Sequence, residues 1–201
     1  MQFPKFKLPE KLEPFRGVII FAVVLMLSNF FWKYNVLGDE DTMADSVVTF
    51  WGTNISAPFN WMAHHVSDVC YFILHSLDSS VSLDHVRNVF HYSNGNRVQI
   101  VWACTGMKQA YICFCIMAFS RGSWKKKLWY VPLTLLVVYL INIFRISFIV
   151  ATIENHPSWF ELLHLYIFKY AFYGIIFLMW VFWEEIMVQK SPQSISERTE
   201  N

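Results

Sequence analysis

The chain reads as a mainly α-helical polytopic membrane protein, with about four transmembrane helices plus an extracytoplasmic amphipathic helix and a small β-hairpin. Three observations lead there. Of its 201 residues, 55% are hydrophobic and only 15% charged, a balance suited to a lipid-facing surface and not to a water-facing one. Long apolar runs approach the roughly 20 residues with which a helix crosses about 30 Å of hydrocarbon. The densest basic segments lie at the ends of those runs. The formal net charge of +1, with no interleaved basic and aromatic pattern, gives no footing for nucleic-acid binding.

Four spans are expected, at about 17–32, 104–120, 128–153 and 162–183. The first follows Lys5, Lys7, Lys11 and Arg16 as a signal peptide would, yet it exits through Ser28, Asn29, Phe30, Phe31 and Trp32 without a small-x-small cleavage pattern. It therefore reads as a retained anchor. Arg121, Lys125, Lys126 and Lys127 form the most basic short loop, and such loops stay on the cytoplasmic side. Acidic residues Asp39, Glu40, Asp41, Asp45, Glu154 and Glu161 then fall outside. The expected organisation is a cytoplasmic segment 1–16, a single membrane domain 17–186 with an extracytoplasmic region at about 33–103, and a cytoplasmic tail 187–201. The expected location is the cytoplasmic (inner) membrane with both termini on the cytoplasmic side, and the polar end Ser191–Asn201 reads as disordered.

Residues 59–77 are apolar enough to suggest a fifth crossing. Phe59, Met62, Val66, Val69, Ile73 and Leu77 share one helical face, however, while Asn60, His64, Asp68, Tyr71, His75 and Asp78 share the other. That amphipathic pattern places the helix on the outer surface. Next, Val89, Phe90 and Tyr92 precede Ser-Asn-Gly-Asn, and Val98, Ile100 and Trp102 alternate with polar neighbours, which predicts a hairpin turning at Asn-Gly.

At 1.5 Å of rise per helical residue, Cys104 lies about 25 Å above Arg121, Arg145 about 27 Å above Lys127, and His164 roughly 30 Å above Glu184. A thiol, a guanidinium and an imidazole thus reach one level from three spans, a set that supports acyl transfer. Cys104 stands where a strand-like run becomes a helix, whose free amides and dipole favour a thiolate. Lys108, one turn on, adds positive charge to that face, and Thr105 and Gly106 offer a hydroxyl and uncrowded amides to an oxyanion. Arg145, set among apolar residues, is costly unless it pairs, snorkels or works. Asn142 shares its face, free either to hold the guanidinium or to meet substrate backbone. Glu161 stands one turn before His164 and could orient the ring. Cys70, Cys113 and Cys115 read as packing residues.

A competing constellation is a metal site built from His64, Asp68 and His75 with His85 or His91. No compact ligand signature supports it, and neither metal nor cofactor is expected. A non-catalytic subunit that binds a partner's transmembrane helix through Arg145 is the alternative function. A transporter fits less well, because the polar intramembrane residues gather at one surface instead of marking a path.

Ala-Cys-Thr-Gly at 103–106 beginning one span, Asn142-x-x-Arg145 near the outer end of the next, and His164 at the start of the last resemble the exosortase/archaeosortase family. The resemblance covers roughly residues 96–183, with Thr105 standing where Ser is more usual. It implies a polytopic cysteine transpeptidase or protease that processes C-terminal sorting signals of exported proteins. Each such signal carries a short motif, a transmembrane helix and a basic tail. In that reading Cys104 is the nucleophile, His164 the proton-transfer partner and Arg145 the group that offsets charge on the substrate carbonyl. The lipid bilayer is the second partner, and the acceptor stays open.

Overall fold

The computed structural model describes residues 15–38, 47–77 and 80–188. Lys5, Lys7, Lys11, the acidic group at 39–45, Asp78 and the polar tail lie outside the described residues. The chain is mostly helical with two small antiparallel sheets, the architecture of a polytopic membrane protein. In order it forms α1 (Arg16–Asn35), β1 (Val36–Gly38), β2 (Val48–Phe50), β3 (Thr53–Asn54), α2 (Ser56–Ser76), β4 (Ser82–Asp84), β5 (Val89–His91) and β6 (Arg97–Gln99). A 3-10 turn (Trp102–Thr105), α3 (Met107–Phe119) and α4 (Trp124–Ile153) follow. A 3-10 turn (Pro157–Trp159), a π-helical turn (Leu162–Ile167), α5 (Phe168–Phe182) and a second π turn (Trp183–Val188) complete it.

Among the described residues, three helical stretches are long and apolar enough to cross a membrane, Arg16–Asn35, Trp124–Ile153 and Pro157–Ile186. The expected span at 104–120 is instead a 13-residue apolar helix, α3, about 20 Å long. It lies antiparallel to α1. Tyr111 near its start meets Phe31 and Trp32 near the end of α1, at ring-centroid distances of 6.1 and 5.4 Å. At the other end, Gly17 and Ile20 share a small cleft with Phe119 and Ser120. Phe21, Ile112, Ile116, Val138, Phe172 and Ile176 pack between α1, α3, α4 and α5. In lipid this core is held by close packing and polar caps, since apolar surface gains little by leaving hydrocarbon.

The basic loop that joins α3 to α4 has its own internal order. Lys127 is buried and donates to the carbonyls of Ala118 at 2.8 Å and Ser120 at 2.6 Å. Its ammonium also sits 5.0 Å from the centre of the Trp124 ring. A cation there satisfies the open carbonyls at the end of α3 and complements that helix's negative pole. The Trp183 indole N–H donates to the Arg121 carbonyl at 2.7 Å and ties the last span to the same loop.

Helix α4, at 30 residues, is about 45 Å long, more than a bilayer core requires. The hairpin β5–β6 docks on its excess length. Tyr92 Oη donates to the Val150 carbonyl at 2.6 Å, and Asn94 Nδ2 to the Glu154 carbonyl at 2.7 Å. The strands pair as expected, with Phe90 opposite Val98. Asn94 and Gly95 lie in a turn closed between Tyr92 and Asn96, with Gly95 at φ 85°. Strand β4 extends this sheet, and β1–β2–β3 make a second one that the sequence did not suggest. Full burial of Phe90 contributes about 1.5–3 kcal/mol where the surrounding medium is water.

Helix α2 is the expected amphipathic helix, running Ser56–Ser76, and it is not among the three stretches apolar enough to span. Its buried stripe is Phe59, Ala63, Val66, Ser67, Cys70 and Leu74, rotated from the expected 59, 62, 66, 69, 73, 77. Leu77 is exposed. Small side chains explain the rotation, because Ala63, Ser67 and Cys70 let α2 approach α4 closely enough for the Cys70 thiol to reach the Ile143 carbonyl, at 3.8 Å.

Candidate active site

Cys104 lies in the 3-10 turn and not on the first turn of a span. Its backbone N–H donates to the Val101 carbonyl at 2.9 Å. Thr105 Oγ1 donates to the Trp102 carbonyl at 2.7 Å and accepts from Met107 N–H at 3.4 Å, so the hydroxyl expected to face an oxyanion closes the turn. Gly106 separates the turn from α3. It sits at φ +77°, a left-handed conformation that glycine adopts without strain. A Cβ there would also lie 2.9 Å from Asn142 Cγ. Backbone reversal and close approach both select glycine, and the reversal is why α3 starts three residues after the cysteine.

Helix α4 supplies the opposite wall. Asn142 is fully buried and its Nδ2 donates to the Cys104 carbonyl at 2.9 Å. Asn142 thus spends its amide N–H on the cysteine's own main chain. Its Oδ1 has no hydrogen-bond partner among the described residues. One turn on, Arg145 is 6% exposed. Its Nη2 lies 3.2 Å from His164 Nδ1, its Nε is buried without a partner among the described residues, and Cys104 lies within its electrostatic reach.

His164 comes from the π turn, a widened geometry that recurs at functional sites. A guanidinium only donates, so Nδ1 of His164 accepts, and the neutral ring carries its proton on Nε2. Phe160 stacks on the ring with centroids 5.2 Å apart. Glu161 is exposed, and the ring's contacts are Arg145 and Phe160, which removes Glu161 as the group that orients it. The π turn explains this, because α-helical i, i+3 neighbours diverge where the helix widens.

Lys108 also takes another place. With Trp32, Lys33, Val36, Trp102 and Ala103 it lines a cavity of about 220 Å³, and the like charges of Lys169 and Lys33 act on it. Its ammonium belongs to a basic group beside the cysteine turn, facing the cavity. Trp102 and Ala103 place that cavity directly against the residues preceding Cys104.

Sequence reasoning gave no role to Tyr139 or His65, whose side chains meet at 2.9 Å. Tyr139 precedes Asn142 by three residues on the same face, and that spacing was the available signal. Cys70 packs in the same buried cluster as Cys104. Burial pushes its thiol up to about 11, which makes it inert at neutral pH. None of the four cysteines, all among the described residues, is joined in a disulfide. Of the competing metal constellation, Asp68 and His85 meet in an exposed side-chain contact at 2.8 Å, and no cluster of three potential ligands occurs among the described residues.

The family model of the transmembrane exosortases (Exosortase_EpsH) matches residues 43–183, which include Cys104, Asn142, Arg145 and His164. No curated protein and no solved structure matches the chain.

Proposed function

Because the chain belongs to the transmembrane exosortase family, we propose that it is a membrane-embedded cysteine peptidase or transpeptidase that cleaves C-terminal sorting signals of exported proteins. The supporting observation is that helix α4 holds the Cys104 turn through Asn142 and, one turn on, carries Arg145 within 3.2 Å of His164. In this reading Arg145 turns its Nη2 from His164 to the developing oxyanion as the Cys104 sulfur attacks the scissile carbonyl carbon. Released from the arginine, Nδ1 of His164 takes the thiol proton. The C–N bond then breaks, the imidazolium gives that proton to the leaving amine, and a thioester remains on Cys104. Water, or an acceptor amine or hydroxyl deprotonated by His164, resolves the thioester.

We place the site at the outer face of the cytoplasmic membrane. The support is that the basic 121–127 loop lies at the opposite end of α4, where short basic loops stay cytoplasmic. A substrate's motif next to its transmembrane helix would reach that level. The burial of Arg145 and its pairing with His164 weigh against its being a docking charge for a partner helix, since such a charge would face lipid.

The test follows the size and membrane anchoring of an exported protein that carries a motif, helix and basic tail. Processing is expected to stop with Cys104→Ala and to fall at least 100-fold with Arg145→Ala. Normal processing by Cys104→Ala would end the enzymatic reading.

A further inference from the structure

We infer that Asn142 is a positioning residue, whose amide clamps the Cys104 turn to α4 one helical turn from Arg145 and so fixes the sulfur beside the guanidinium. The inference rests on the reading of Cys104 as nucleophile. Three observations carry it: the bond from Asn142 Nδ2 to the Cys104 carbonyl, at 2.9 Å; the complete burial of Asn142; and the 2.9 Å that separates its Cγ from any Cβ placed on Gly106.

The chemistry selects asparagine. The clamp needs an N–H donor aimed at a carbonyl, and aspartate at this place would oppose that carbonyl with oxygen. Leucine has nearly the same shape and offers no donor. A lysine or arginine could donate, but it would bring a second cation within one turn of Arg145 and compete for the thiolate. The amide donates without charge, which adds no second cation beside Arg145, the guanidinium within electrostatic reach of Cys104. Gly106 is the other half of the clamp: its missing side chain lets the turn seat on Asn142, and its positive φ directs the chain away into α3. Nucleophile placement is thereby uncoupled from the helix that follows.

The test is the pH dependence of Cys104 alkylation, read at that residue by peptide mass spectrometry on the full chain in detergent. A nearby cation favours the thiolate, so Arg145→Ala is expected to move the midpoint upward by about one pH unit. Asn142→Ala and Gly106→Ala move it in the same direction by at least about half that shift. Should Asn142→Ala fail to accumulate, Asn142→Leu removes the donor while keeping the volume. A parent-like midpoint in the Asn142 variants, with Arg145→Ala shifted, overturns the clamp and leaves the proposed function intact. A parent-like midpoint in Arg145→Ala overturns the pairing of sulfur and guanidinium on which both rest.

Discussion

Helix α4 buries one cation near each end, and the two are treated differently. Lys127 is saturated: two carbonyls at 2.8 and 2.6 Å and an aromatic face enclose its ammonium. Arg145 is equally buried, yet it spends one nitrogen on a neutral imidazole and leaves Nε without a partner among the described residues. Leaving a buried donor unfilled costs about 1–3 kcal/mol, more for a charged group. A cation that only stabilises the fold gains nothing from that cost. One that must meet charge as it develops on a substrate gains its function, because its donors are already desolvated. Under the proposed function, the contrast separates a structural charge from a working one within a single helix.

Substitutions at the two ends should separate stability from activity. The largest expected effect is at Arg145. Arg145→Lys keeps the charge but loses the planar fork that reaches His164, so signal processing should fall about 100-fold or more with little change in thermal midpoint. Next, His164→Ala should lower turnover by about 100-fold or more and leave KM nearly unchanged, as measured with a purified signal peptide. Lys127→Met should do the opposite, costing about 1–3 kcal/mol, seen as a lower melting temperature in detergent, while processing stays within about twofold. Equal losses of activity and stability at both cations would remove the distinction. The smallest effect is expected at Cys70. With its thiol pushed up to about 11 by burial, alkylation should be negligible at neutral pH and rise steeply above about pH 10, and Cys70→Ala should leave processing unchanged.

Periodicity and composition made the scaffold legible. The amphipathic stretch that became α2, the hairpin around Asn94 and Gly95, and the long apolar runs all follow from side-chain patterns that each element must show to bury one face. What escaped was set by backbone geometry or by distant partners. A glycine in a sequence does not disclose the sign of its φ, so Gly106 concealed that α3 begins at Met107 and that Cys104 precedes it. Spacing rules assume an α-helix, and the π turn at Leu162–Ile167 separated Glu161 from the ring it was expected to orient. The loop rule reads Lys127 as one more positive charge. Only the fold reveals that its ammonium closes the end of α3.

For the candidate site, residue type and order pointed to the thiol, guanidinium and imidazole, because each is costly or unusual where it stands. Their partners were not legible. The same one-turn spacing that placed Asn142 beside Arg145 could not tell that its amide reaches across to the Cys104 carbonyl. Nor could spacing along α3 show that Lys108 lines a cavity with Lys33. The second sheet, built from strands of two and three residues, is too short to leave an alternating pattern.

The most direct measurement is the intact mass of the protein during turnover of a sorting-signal peptide quenched in acid. The account predicts an adduct equal to the acyl part of the peptide, attached at Cys104, released by neutral hydroxylamine and absent from Cys104→Ala. Cleaved peptide with no adduct under single-turnover conditions, or an adduct mapped to Cys70 or Cys115, would contradict it.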